Sequence, residues 1–173
     1  MTDRAAVAAD QWRKERPDID PFPMELLGRL AEAALVIGRD RLNPLFARFH
    51  LQPGEFDVLA TLRRSGEPCA LTPTELYGVL MISSGGMTSR IDRLERAGLI
   101  ERRRHPTDRR GTLVALTADG RRLIDELVVH HVENERSVLS CLSEVEQRDL
   151  DGLLAKLLAG LSGRSSRTDP GPG

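Results

Sequence analysis

Aromatic side chains are scarce: one Trp, one Tyr and four Phe make up 3% of the 173 residues. A core with so few rings is built from Leu, Ala, Val and Ile, which suits packed helices. Cysteine occurs only as Cys69 and Cys141, with no CxxC, which excludes a disulfide framework and a zinc signature. Lysine is almost missing, so the cationic charge is carried by Arg. No apolar run reaches the roughly 20 residues of a membrane span, and none near the N-terminus has signal length. A cytoplasmic chain with one core and no membrane partner is expected. GxSxG, P-loop, HExxH and dinucleotide fingerprints are missing, and His105, His130 and His131 lack metal-ligand spacing. No catalytic residue, metal or cofactor is expected, and the chain reads as not an enzyme.

A net charge of −1 argues by itself against a nucleic-acid partner. Its distribution argues the other way. Residues 83–122 hold ten Arg against five acids, a local net of +5, whereas residues 123–161 hold eight acids against three bases. A basic block within a neutral chain is the footprint of a surface that faces phosphates, although a solvated charged face has the same composition.

The apolar periodicity places a short helix over 5–16, stopped by Pro17. A long helix follows over 24–49, with a kink expected near Asn43 because Pro44 interrupts it. The turn signal Gln52-Pro53-Gly54 opens a third helical run, EFDVLATLRR. Thr72, Pro73 and Glu75 form a capping box at the head of the next helix. The helix after it starts at Ser83 or Ser84 and stops at Gly98. Residues 99–104 and 112–117 read as strands joined by the turn HPTDRRG. Thr117 caps a helix over 118–142, and Ser143 with Glu146 opens a last helix to Leu161.

This order predicts a mainly α fold with a small β-hairpin: a winged helix-turn-helix with a helical dimerisation region. The expected organisation is an N-terminal extension at 1–23, a dimerisation region at 24–52 and 118–161, a DNA-binding lobe at 53–117, and a tail of disordered composition at 162–173. In SSGGMTSRIDRLERA, Met87, Ile91 and Leu94 form the buried stripe. Ser83, Ser84, Thr88, Ser89 and Arg93 are the expected DNA contacts, with Thr72 at the head of the preceding helix. In the wing, Arg109 and Arg110 suit a minor groove, and Asp108 suits holding such an Arg in place. The apolar stripe of 143–161 is broad and predicts a homodimer.

The stretch LTPTELYGVLMISSGGMTSRIDRLERAGLIERRRHPTDRRGTLVALTADGR resembles the DNA-binding lobe of the MarR family. The wing residues Asp108, Arg110, Leu116, Thr117 and Gly120 carry the resemblance most specifically. It implies a homodimer with interlocked terminal helices on a pseudo-palindromic double-stranded operator. It also implies that Arg110 probes the minor groove while Asp108 orients the wing. QWRKERPDIDPFPMELLGRL and GEFDVLATLRRSG resemble the urate-responsive branch of the family. That branch implies an effector site at Trp12, Arg16, Asp57 and Arg90 for a small anion such as urate, xanthine or an aromatic acid. The resulting expectation is a bacterial repressor released from its operator by that anion. Three other readings stay open: a helical small-molecule-binding protein or enzyme without DNA, a protein adaptor, and a redox-sensing regulator using Cys69 or Cys141.

Overall fold

The computed structural model describes residues 2–80, 86–108 and 111–162. In chain order these form α1 (Arg4–Glu15), α2 (Phe22–Ile37), a π-helical turn (Gly38–Leu42), α3 (Asn43–Arg48), α4 (Glu55–Arg64) and β1 (Ala70–Leu71). There follow α5 (Pro73–Val79), α6 (Met87–Arg96), β2 (Ile100–Arg104), β3 (Thr112–Leu116), α7 (Ala118–Leu139) and α8 (Glu144–Ser162). The fold is the mainly helical winged helix-turn-helix that the sequence predicts. The chain up to Asn134 makes one compact unit, and the chain from Glu135 onward makes a second.

In the first unit, Asp3 caps α1 by accepting the Ala6 N–H at 2.9 Å. α1 lies close against α2, where a Cβ at Gly28 would stand 3.2 Å from that of Ala5. Arg4–Glu32 at 2.7 Å, Arg13–Glu25 at 2.8 Å and Arg29–Asp3 at 2.8 Å cross the same seam. Such pairs, each open to solvent on the arginine side, contribute little energy. They fix orientation more than stability.

The long helix predicted over 24–49 breaks earlier than its proline suggests. Regular α-helix ends at Ile37, the π-helical turn follows, and Pro44 stands in the first turn of α3. Pro44 has no N–H for the carbonyl four residues back, and its ring crowds that carbonyl. The turn before it therefore widens to the π form.

The lobe's core joins residues from distant segments. Phe46 of α3 stacks on Phe56 of α4, with centroids 4.7 Å apart. Val58, Leu59, Leu62, Leu76, Met87, Ile91, Leu94, Ile100 and Val114 are buried around them, with Ile124 and Leu127 of α7. The predicted stripe Met87, Ile91 and Leu94 is thus the buried face of α6. The predicted hairpin pairs from Ile100↔Leu116 to Arg104↔Thr112. A third strand, β1, was not foreseen: it pairs antiparallel with β3, giving the order β1-β3-β2. Two residues are too short to carry a strand period. β1 makes β3 the central strand, which accounts for the burial of Val114, Ala115 and Leu116.

In the second unit, the predicted capping box opens α8. Ser143 N–H donates to Glu146 Oε2 at 2.8 Å, and Glu146 N–H donates to Ser143 Oγ at 3.4 Å. α8 runs to Ser162, one residue into the predicted tail; residues 163–173 lie outside those described.

Candidate functional site

α5 is capped by Thr72, whose side chain accepts the Glu75 N–H at 3.2 Å while Glu75 Oε2 accepts the Thr72 N–H at 2.8 Å. The Thr72 N–H and the Thr72 hydroxyl, which also donates to Oε2 at 2.8 Å, hold the Glu75 carboxyl below its ordinary range. α6, the second helix of the pair, opens after Gly86 and presents Thr88 and Ser89 outward. Its start is later than expected, and Ser83 and Ser84 lie outside the described residues.

The wing is tied to α6 by Arg102, which pairs with Asp92 at 2.6 Å and also with Glu95. At the tip, His105 Nδ1 accepts the backbone N–H groups of Thr107 at 3.3 Å and Asp108 at 3.1 Å. Gly111 N–H donates to the Asp108 carbonyl at 3.0 Å and closes the turn. Asp108 is exposed there; Arg109 and Arg110 lie outside the described residues. Part of the local excess of Arg is neutralised within the protein. Arg102 and Arg103 are held by acids of the lobe, and Arg93 Nε donates to Glu55 Oε1 at 2.7 Å.

Of the four residues expected to bind an effector, two come together. Arg90 folds over Gly54, where a Cβ would stand 2.6 Å from the Arg90 Nε. Burial pushes the Asp57 carboxyl above its ordinary range, against the opposing pull of the charges on His131, Arg90 and Arg64. Asp57 and Arg90 are thus electrostatic neighbours between α4 and α6. His131 was passed over in the sequence because it lacks metal spacing. It proves to be part of this cluster, its ring 4.3 Å from that of Phe56 and 5.7 Å from that of Phe46. Its only signal in the sequence was a position on α7 in line with buried Ile124 and Leu127.

Trp12 stands on α1, and Arg16 directly follows its end. Trp12 is exposed on α1, and Arg16 makes a two-pronged pair with Asp18 at 2.7 and 2.6 Å. Neither makes a hydrogen bond, ion pair or ring contact with Asp57 or Arg90 among the described residues. Cys69 is buried, its N–H bonded to the Gly66 carbonyl and its carbonyl to the Leu116 N–H, while Cys141 is exposed. The described residues hold no cluster of metal-binding side chains and no helix long and apolar enough to cross a membrane.

A capped helix, a second amphipathic helix and an antiparallel wing, in that order on one core, define a winged helix-turn-helix protein. Comparison with known proteins narrows the class. The MarR family model matches residues 51–111. The chain is 46% identical over 147 residues to the HTH-type transcriptional regulator PecS of Dickeya dadantii, covering 85% of this chain and 88% of that protein. Among solved structures, a mutant MarR from E. coli complexed with operator DNA is 28% identical with a TM-score of 0.67, covering 85% of this chain and 97% of that one. Sco3205, a MarR family transcriptional regulator from Streptomyces coelicolor in complex with DNA, is 25% identical with a TM-score of 0.70, covering 80% and 88%. The chain belongs to the MarR family of helix-turn-helix regulators.

Proposed function

We propose that this protein is a transcriptional repressor that binds a pseudo-palindromic operator as a homodimer and is released by a small anionic effector, urate or a related purine. The observation that carries the DNA-binding reading is the outward face of α6. It is polar and small-sided at Thr88 and Ser89 and is braced by a wing of basic composition. The solved complexes of two relatives with DNA support it. The contacts are assigned to Thr72, Ser83, Ser84, Thr88, Ser89 and Arg93 at the major groove, and to Asp108, Arg109 and Arg110 in the wing.

Dimerisation is supported by apolar rows left exposed in one chain. Leu26, Leu27 and Leu30 of α2 and Leu150, Leu153, Leu157 and Leu161 of α8 are examples. So much exposed apolar surface on helices marks a docking face.

The effector reading rests on Asp57 and Arg90, with Trp12 and Arg16 as the further expected contacts. Arg90 supplies a cationic donor on the recognition helix, and Asp57 is the carboxylate that an arriving anion repels. Exchange of an internal pairing for a ligand contact shifts α6, the two-state element that allostery needs. Operator-bound protein titrated with urate, xanthine and salicylate tests this. Urate should release DNA from wild type and leave Arg90→Ala bound. Equal release from both proteins would remove Arg90 from the site, and no release by any of the three would refute the effector class.

A further inference from the structure

Glu55 is a carboxylate where a charge is costly. It is the first residue of α4, and its side chain is only 5% exposed. A buried ion persists when it is paired and hydrogen-bonded. Two donors meet this one. The Gln52 N–H reaches Oε2 at 2.7 Å and closes the turn that opens α4. From α6, Arg93 Nε reaches Oε1 at 2.7 Å. Arg93 then gives Nη1 to Ser89 Oγ at 2.8 Å, one turn back on its own helix.

Two edges of the guanidinium are therefore committed inside the protein. Nη2 makes no hydrogen bond among the described residues, and the side chain keeps 31% of its exposure. The neighbouring residue of the same turn, Gly54, receives Arg90. Consecutive residues of one turn thus seat two arginines of α6 that are three positions apart.

We infer that Glu55 is a positioning residue for operator recognition, holding Arg93 so that its remaining edge meets the DNA as α6 enters the groove. An unheld Arg loses its rotamer freedom at the moment of binding. Arg93 loses it on folding, and preorganisation of this kind raises affinity. Ser89, itself an assigned contact, is oriented by the same bonds. The inference rests on Arg93 being a DNA contact.

The test is a double-mutant cycle on a duplex selected by the wild-type dimer. Operator affinity, its salt dependence and the melting temperature are measured for wild type, Glu55→Gln, Arg93→Ala and the double variant. Glu55→Gln keeps an oxygen for the Gln52 N–H but turns an amide group toward Arg93 Nε, so donor faces donor. It should weaken operator binding roughly tenfold, the order expected for one charge-assisted hydrogen bond. Arg93→Ala should weaken binding at least as much and lower the salt slope by about one counterion. In the Arg93→Ala background, Glu55→Gln should change affinity no further. Additive losses accompanied by a lower melting temperature would make Glu55 merely structural and overturn the inference. Tighter binding by Glu55→Gln would mean that Glu55 withholds Arg93 from DNA, and would overturn it too. If Arg93→Ala binds like wild type, Arg93 is not a DNA contact and the inference falls, while operator binding through the other assigned residues stands.

Discussion

Replacing Gly120 with Ala should damage the junction of wing and α7, although alanine is ordinarily the better helix former. Gly120 is buried in the first turn of α7. A Cβ there would run into the Leu99 carbonyl oxygen and stand 2.8 Å from its carbon, where ordinary contact begins near 3.4 Å. That carbonyl is not free to move. It accepts the Thr117 N–H at 3.1 Å, and the Leu99 N–H donates to the Leu94 carbonyl at 3.0 Å. Thr117 Oγ1 donates to the Gly98 carbonyl at 2.7 Å and accepts the Gly120 N–H at 3.0 Å. The end of α6, the start of β2 and the start of α7 thus form one knot.

Relief of the clash needs a backbone shift that strains the knot. Overpacking costs about 1–3 kcal/mol, and each hydrogen bond lost adds about 1 kcal/mol. The helix gain from Gly to Ala offsets about 1 kcal/mol. With one hydrogen bond lost the net is about 1–3 kcal/mol, which for a chain of this size lowers Tm by roughly 2–12 °C. Gly78→Ala is the control, because that helical glycine has open space around it; its Tm should hold or rise slightly. Thermal melts by circular dichroism at matched protein concentration read both variants. A Gly120→Ala protein that melts at or above wild type would show that the tight approach of α7 to Leu99 is wrong.

Three other perturbations follow from the same structure. Leu154→Glu with Leu157→Glu places charges in the proposed seam of α8, and sedimentation should find monomer or aggregate; an intact dimer would put the interface elsewhere. Asp57, whose folded pKa is raised by burial, favours the fold only when protonated, so its contribution is lost as pH rises from 3.8 through the folded value. Asp57→Asn should therefore melt higher than wild type at pH 7, with the advantage gone below pH 3.8; an advantage that grows in acid would reverse the assignment. Arg110→Ala should weaken operator binding most where the flanking minor groove is A·T-rich, and equal loss on G·C-rich flanks would reduce Arg110 to a phosphate contact.

The parts of the fold that were legible in the sequence are those fixed by short-range chemistry. The Thr72–Glu75 and Ser143–Glu146 boxes span four residues each, and both form as read. The α6 stripe needs only a helical period. What stayed hidden was decided between segments far apart in the chain. β1 exists because β3 offers it an edge, and nothing in Ala70-Leu71 announces a strand. Arg93 reads as an unanchored basic side chain until α4 supplies a buried Glu55 thirty-eight positions away to hold its Nε. Arg102 reads as one more basic wing residue, yet Asp92 and Glu95 bind it to the recognition helix. His131 enters the Asp57–Arg90 cluster only because α7 crosses the lobe's core beside Phe56. Charge and periodicity thus locate a surface, while the partner of each charged side chain is a property of the packing.

The central claim is that a symmetric dimer of this chain reads double-stranded DNA. The most direct measurement is selection of bound duplexes from a random pool, followed by titration of the enriched sequence at 50 and 200 mM salt. A symmetric dimer should enrich an inverted repeat with half-site centres about one helical turn apart. Its affinity should fall steeply with salt, as the arginines displace counterions from several phosphates. Enrichment of no sequence, or of one without two-fold symmetry, would contradict it, as would affinity indifferent to salt.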